Sequence, residues 1–263
     1  MVPFVSLHAV ATPAERRLYG HRGSSQNVPE NTLPAFRQAL ADGANALEMD
    51  VHVTADGHVV VSHDADGRRR AGIDRAIADC TQAEVQRWVV GRLPDGTPTG
   101  IPTFDDVLTS FPSVRLNVDI KPSGTHAVPL VIDVIRRRRA EDRVTLASFH
   151  GDVISTIRSM RYGGELSLPP ADVVRVRLLP WLVLRRFPPR GQAIQIPTRQ
   201  RGLRLDTPEF IERCHSLGLR VDYWVINDSA EAARLLSAGA DGLVSDDPGA
   251  LRTVVFGEMA GRR

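Results

Sequence analysis

The chain has 263 residues, 42% hydrophobic and 24% charged, enough apolar side chains to bury a large core without disulfide staples. Its formal net charge of +2 argues against a polyanion binder driven by overall charge. No uncharged run reaches the roughly 18 residues that a membrane-spanning helix needs, and Cys80 and Cys214, far apart and in no metal-type spacing, argue against a disulfide framework. The expectation is a cytoplasmic protein in a reducing compartment. The segment 1–14 lacks a basic start and contains His8, so it does not read as a signal peptide.

Short apolar runs alternate with helical patterns in chain order. Residues 18–20 read as the first strand and 31–41 as its helix, with Asn31 or Thr32 as the cap and Pro34 in the first turn. Ala46–Val53 is the second strand, and 58–63 an added β segment after the Asp56-Gly57 turn. Phe104–Ser110 is a helix, Arg115–Ile120 the third strand and 128–138 its helix. The fourth strand is 144–149, followed by a helix at 153–161, and the fifth is 165–168. Ala193–Ile196 is the sixth, with a helix at 207–217 ending at Gly218. The seventh is 220–226 with a helix at 230–238, and Gly242–Ser245 is the eighth, closed by a helix at 248–255. Eight such units in strict order predict an α/β protein with a parallel sheet closed into a (β/α)8 TIM barrel. It is read as a single domain over 1–263, with its core at about 17–256 and a small β insertion after strand two.

In such barrels the chemistry sits at the C-terminal ends of the strands. Strand one ends in His21-Arg22-Gly23, the segment after strand two in His63-Asp64, and strand three in Asp119-Ile120-Lys121. Glu48 and Asp50 are two apart on strand two, so both face the interior, while Leu47, Met49 and Val51 face the helices. Asp119 and Lys121 repeat that parity. A barrel interior is normally filled with branched apolar residues. Three carboxylates converging there would repel one another and raise their own pKa values. A hard divalent cation relieves that conflict. For any one acid, a solvated strand end or an arginine pair is the simpler reading. Two such pairs on successive strands, beside two strand-end histidines, favour a site. Of the 33 basic residues only Lys121 is lysine, which suits a narrow place beside phosphate or acid groups.

These residues resemble a known family. Gly20-His21-Arg22-Gly23, Pro29-Glu30-Asn31-Thr32, Glu48-Met49-Asp50-Val51 and His63-Asp64, in that order, are similar to the glycerophosphodiester phosphodiesterases. Asp119-Ile120-Lys121, Trp224, the turn at 239–242 and Asp246-Asp247-Pro248 fit as well, so the resemblance covers about 19–248. It implies a TIM barrel, one divalent cation (Mg²⁺ or Ca²⁺, with Mn²⁺ as a third candidate) and hydrolysis to a glycerol 3-phosphate-type product and an alcohol. It implies His21 and His63 as the acid–base pair, and Glu48, Asp50 and Asp119 as metal ligands. It further implies Arg22 and Lys121 as phosphate contacts and Trp224 as a wall of the substrate pocket. Most bacterial members have glutamate where this chain has Asp119. The lysophospholipase D-like subset is closer here, in the stretch 52–63 and in Trp224-Val225-Ile226-Asn227. The alternative activity is therefore lysophospholipase D-type or sphingomyelinase D-like action on lysolipids at a membrane surface.

His52 shares the inward parity of Asp50 and stays in the background, with His8, His58, His126 and His215. Segment 173–190 carries Leu178, Leu179, Trp181, Leu182, Val183 and Leu184 among Arg175, Arg177, Arg185, Arg186 and Arg190. It reads equally as a peripheral membrane contact or as a barrel helix, with Pro180 breaking the latter. Arg68–Arg70 and Arg136–Arg139 suggest nucleic acid only on charge. Without a stacking platform or binding motif, no nucleic-acid partner is expected, and a small phosphodiester or lysolipid is. A catalytically inactive scaffold is a third alternative.

Overall fold

The computed structural model describes residues 16–257 apart from 201, so the reading of 1–14 and of His8 lies outside the described residues. Seven strands pair side by side in parallel, in the order Ala193–Ile196, Arg220–Tyr223, Gly242–Ser245, Arg17–His21, Ala46–Val53, Arg115–Ile120 and Val144–Ala147. The ring closes through two parallel bridges, Leu146 to Leu166 and Ser167 to Ala193. The predicted fifth strand therefore sits in its place as a short bridging segment. The Gln192 side chain accepts from the Leu166 amide at 3.0 Å, taking a donor that a longer ladder would have used. Eight parallel segments around one ring, with helices outside, make the (β/α)8 barrel.

The local chemistry explains the elements. The Thr32 hydroxyl accepts from the Ala35 amide and caps the helix Leu33–Ala41. That helix buries Phe36 against the barrel, edge-on to Phe111 with ring centres 6.2 Å apart. Strand Ala46–Val53 is buried on both faces. Leu47, Met49 and Val51 join Phe36, Phe104 and Ile132 in the layer between sheet and helices. Thr207 and Asp228 cap the helices Pro208–His215 and Ser229–Ser237. Strands four and seven stop at Ala147 and Tyr223, short of the predicted 149 and 226.

The insertion after strand two is larger than expected. Val59–Val61 pairs antiparallel with strand two, Val53 opposite Val59. Two further antiparallel pairs follow, Asp66–Gly67 with Ile73–Ala76 and Val89–Arg92 with Pro98–Gly100. Val60, Ile77, Val85, Trp88 and Ile101 form their own apolar cluster. These strands are two to four residues long, too short to show an alternation.

At the N-terminal ends of the strands, Glu165 accepts from Arg17 at 2.8 Å and from Arg220 at 2.7 Å. Burial raises a carboxyl's pKa, but the two guanidiniums outweigh it and hold Glu165 well below the usual range. The exposed arginine runs are also paired. Arg68 meets Asp74, Arg69 meets Glu30 and Asp64, Arg136 meets Glu141, Arg137 meets Asp133 and Arg138 meets Asp105. Among the described residues no helix is long and apolar enough to cross a membrane. Cys80 and Cys214 are buried free thiols in separate apolar clusters.

Candidate active site

All eight residues singled out in the sequence line one cavity of about 270 Å³ at the C-terminal mouth: His21, Arg22, Glu48, Asp50, His63, Asp119, Lys121 and Trp224. Strand one delivers His21, and the chain then turns through Arg22 (φ 56°) and Gly23 (φ 91°), both left-handed. A Cβ at Gly23 would lie 2.5 Å from the Ala35 backbone carbonyl carbon, so only glycine fits that turn. The turn aims the Arg22 amide at Glu48, 3.0 Å from Oε2, and sets the guanidinium Nε 3.1 Å from Asp50 Oδ2. That guanidinium contact is an ion pair without hydrogen-bond alignment, because Arg22 Nε has no hydrogen-bond partner.

Strands two and three supply the acids in adjacent register, Asp50 directly opposite Asp119. Lys121 Nζ bridges them, 2.8 Å from Asp50 Oδ1 and 2.7 Å from Asp119 Oδ2. The Asn31 amide donates to Asp50 Oδ2 at 3.0 Å. Asn31 therefore serves the site, and the cap position belongs to its neighbour Thr32. The environments push the three carboxyls apart. Burial raises Asp50, but Lys121 and Arg22 outweigh it and hold it below the usual range. Burial followed by the charge of Asp50 pushes Glu48 up to about 7. Burial also raises Asp119, and Lys121 only partly offsets that.

Two imidazoles open onto the same cavity, and an aspartate holds each of them. His21 Nδ1 is 2.6 Å from Asp246 Oδ1, and His63 Nδ1 is 2.9 Å from Asp64 Oδ1. An ionised carboxylate can only accept, so each Nδ1 carries the proton and each Nε2 is left for chemistry. Asp246 is itself fixed by Ser25 at 2.9 Å and Asn227 at 2.8 Å, and Asp64 by Arg69 at 2.6 Å. Burial disfavours the His21 imidazolium, but the bond to Asp246 and the charge of Glu48 more than offset it, and its pKa stands raised. His52 is buried behind the site, its Nε2 3.2 Å from the His63 carbonyl, and does not line the cavity.

The other wall is apolar, built from Trp224, Phe149, Leu168, Pro170, Val173 and Ile196. Phe149 and Trp224 meet edge-on at 6.1 Å, and Lys121 Nζ lies 5.8 Å from the Phe149 ring centre. The sequence reading missed Phe149 and the orienting role of Asp246. Phe149 is the last residue of the predicted fourth strand and lies beyond its observed end at Ala147, while Asp246 follows the eighth, which the barrel ring places beside strand one, with Ser245 opposite Gly20.

Among the described residues no three carboxylate or imidazole groups are already gathered into a metal cluster, since Lys121 stands between Asp50 and Asp119. The donor chemistry nevertheless fits a hard cation. Asp119 Oδ1 and Asn117 Oδ1 are buried without any hydrogen-bond partner, and burial beside Asp50 raises the Glu48 pKa, a rise that a bound cation would oppose.

Fold and cavity define the class: a barrel enzyme that places two oriented imidazoles and two cationic side chains on the polar side of one cavity. Residues 21–250 match the glycerophosphoryl diester phosphodiesterase family, and the chain belongs to that family of phosphoric diester hydrolases. A glycerophosphodiester phosphodiesterase of Caldanaerobacter subterraneus subsp. tengcongensis is 30% identical over 89% of this chain and 96% of its own. The lysophospholipase D GDPD1 of Rattus norvegicus is 28% identical over 90% of this chain and 85% of its own. Among solved structures, the glycerophosphodiester phosphodiesterase of Thermotoga maritima superposes with a TM-score of 0.68 at 26% identity, over 89% of this chain and 96% of that one. An Oleispira antarctica phosphodiesterase, in complex with the product sn-glycerol-3-phosphate, gives a TM-score of 0.76 at 22% identity over 91% and 96%, a likeness of fold.

Proposed function

We propose that this enzyme hydrolyses small glycerophosphodiesters to a glycerol 3-phosphate-type product and an alcohol, with His21 and His63 as its acid–base pair. One observation carries the reading: two imidazoles, each oriented through Nδ1 by an aspartate, open on the cavity that also holds Arg22 and Lys121. In this scheme the glycerol 2-hydroxyl attacks phosphorus and one histidine takes its proton. The bond from phosphorus to the leaving oxygen breaks, and the other histidine protonates that oxygen. Water then opens the resulting cyclic phosphate with the two roles exchanged. Arg22 and Lys121 stabilise the charge that builds on the phosphoryl oxygens. Trp224 closes one side of the pocket. Glu48, Asp50 and Asp119 would hold one divalent cation, Mg²⁺ or Ca²⁺ with Mn²⁺ as the third candidate. Its chemistry there would be neutralisation of phosphoryl charge. The product bound in the Oleispira antarctica phosphodiesterase supports the product class.

The apolar wall formed by Phe149, Pro170, Val173 and Trp224 favours a second reading, lysophospholipase D-type action on lysolipids. Phosphorus NMR of purified protein with glycerophosphocholine, its 2-deoxy analogue and lysophosphatidylcholine tests both. The first reading expects glycerol 3-phosphate from glycerophosphocholine and no reaction of the 2-deoxy analogue. Release of lysophosphatidic acid alone would favour the second. Turnover of the 2-deoxy analogue at an undiminished rate would rule out attack by the 2-hydroxyl.

A further inference from the structure

Among the described residues nine large apolar side chains are exposed, and six of them fall between positions 174 and 187. They are Val174, Leu178, Trp181, Leu182, Val183 and Phe187, with Leu182 at 78% exposure. Five of them sit on two short helices, Pro170–Leu178 and Trp181–Arg186, separated by Pro180, and Phe187 caps the second. Val173, Val176 and Leu184 turn inwards and anchor the pair, so the exposed set is a second, unpartnered face. Isolated apolar residues on a surface need no explanation, whereas a concentrated patch with a polar border does.

The border is cationic. Segment 173–190 contains five arginines and no acid. Arg175 is spent on Asp172 and Arg177 on the Arg204 carbonyl. Arg185, Arg186 and Arg190 make no ion pair among the described residues, unlike the arginines at 68–69 and 136–138. A tryptophan and leucines between uncompensated guanidiniums match the apolar depth and anionic phosphates of a lipid surface. A second copy on the same face would oppose the two sets of arginines. The first helix also supplies Pro170 and Val173 to the wall of the catalytic cavity, so this arm joins the patch to the site.

We propose that the arm 174–187 docks the enzyme onto an anionic lipid bilayer, with Trp181, Leu182 and Phe187 at headgroup depth and Arg185, Arg186 and Arg190 on lipid phosphates. The test is flotation of the full chain with vesicles of phosphatidylcholine alone or with roughly one third phosphatidylglycerol, at low and high salt. The expected result is binding to the anionic vesicles at low salt, largely lost at high salt, with a blue shift of tryptophan emission. The triple variant Leu178→Ser, Leu182→Ser, Phe187→Ser should bind roughly tenfold less, and so should Arg185→Glu, Arg186→Glu. Both should keep the parent activity on soluble substrate. Flotation reads docking whether or not glycerophosphocholine is the substrate. No flotation of the parent at low salt, or equal flotation of both variants, would overturn the proposal. So would a concentration-dependent dimer that the triple variant abolishes while vesicles bind neither form.

Discussion

Asp246→Asn separates the orientation of His21 from its chemistry. The carboxylate accepts from His21 Nδ1 at 2.6 Å on Oδ1, and on Oδ2 from Asn227 at 2.8 Å. An amide of the same shape can accept on one side only, so either His21 or Asn227 loses its acceptor. A hydrogen bond to a charged partner contributes roughly 1.5–3 kcal/mol. With about 1.4 kcal/mol per factor of ten, kcat/KM should fall roughly 10- to 10²-fold. The pH dependence should change as well. Burial lowers the His21 pKa, and Asp246 with Glu48 raises it above the ordinary value, so removing the Asp246 charge moves it down. The inflection of kcat/KM against pH that belongs to His21 should therefore shift to lower pH, read on glycerophosphocholine with choline release as the signal. A folded variant with parent kcat/KM and an unmoved inflection would refute the orienting role.

Chelation with EDTA should abolish turnover, and Mg²⁺, Ca²⁺ or Mn²⁺ should restore it; full activity in EDTA would remove the role assigned to Glu48, Asp50 and Asp119. Glu165→Gln should lower stability at neutral pH by about 2–3 kcal/mol, below the usual cost of breaking a buried pair because the carboxylate is partly exposed. The sign of its pH dependence follows from a depressed folded-state pKa. The stabilisation is present above the unfolded value of 4.5 and is lost as pH falls below it. Thermal melts of the variant should thus show a shallower acid limb than the parent, and parallel limbs would contradict the assignment.

The barrel was legible because its strands obey simple parity. Strand two is buried on both faces, and its i, i+2 acids stood out against Leu47, Met49 and Val51. Strand five was only half legible, since it holds its place by two bridges and a Gln192 side chain. The insertion was not legible beyond 63, because its hairpins carry two to four residues per strand. In the site, residues at strand ends near His21 and Asp50 were readable from position. Asp246 lies 225 residues from His21, and only closure of the ring makes them partners. Asn31 read as a helix cap because its type suits one. Its positive φ and its bond to Asp50 appear only in three dimensions. Lys121 between Asp50 and Asp119 was the other surprise, since spacing put all three on one face without saying which would touch.

The most direct test compares the parent with His21→Ala and His63→Ala on glycerophosphocholine, following glycerol 3-phosphate by phosphorus NMR with folding checked by circular dichroism. Each imidazole handles a proton in the bond-breaking sequence, so each variant should lose roughly 10²-fold or more in kcat. Near-parent turnover by both folded variants would contradict the two-histidine account of this site.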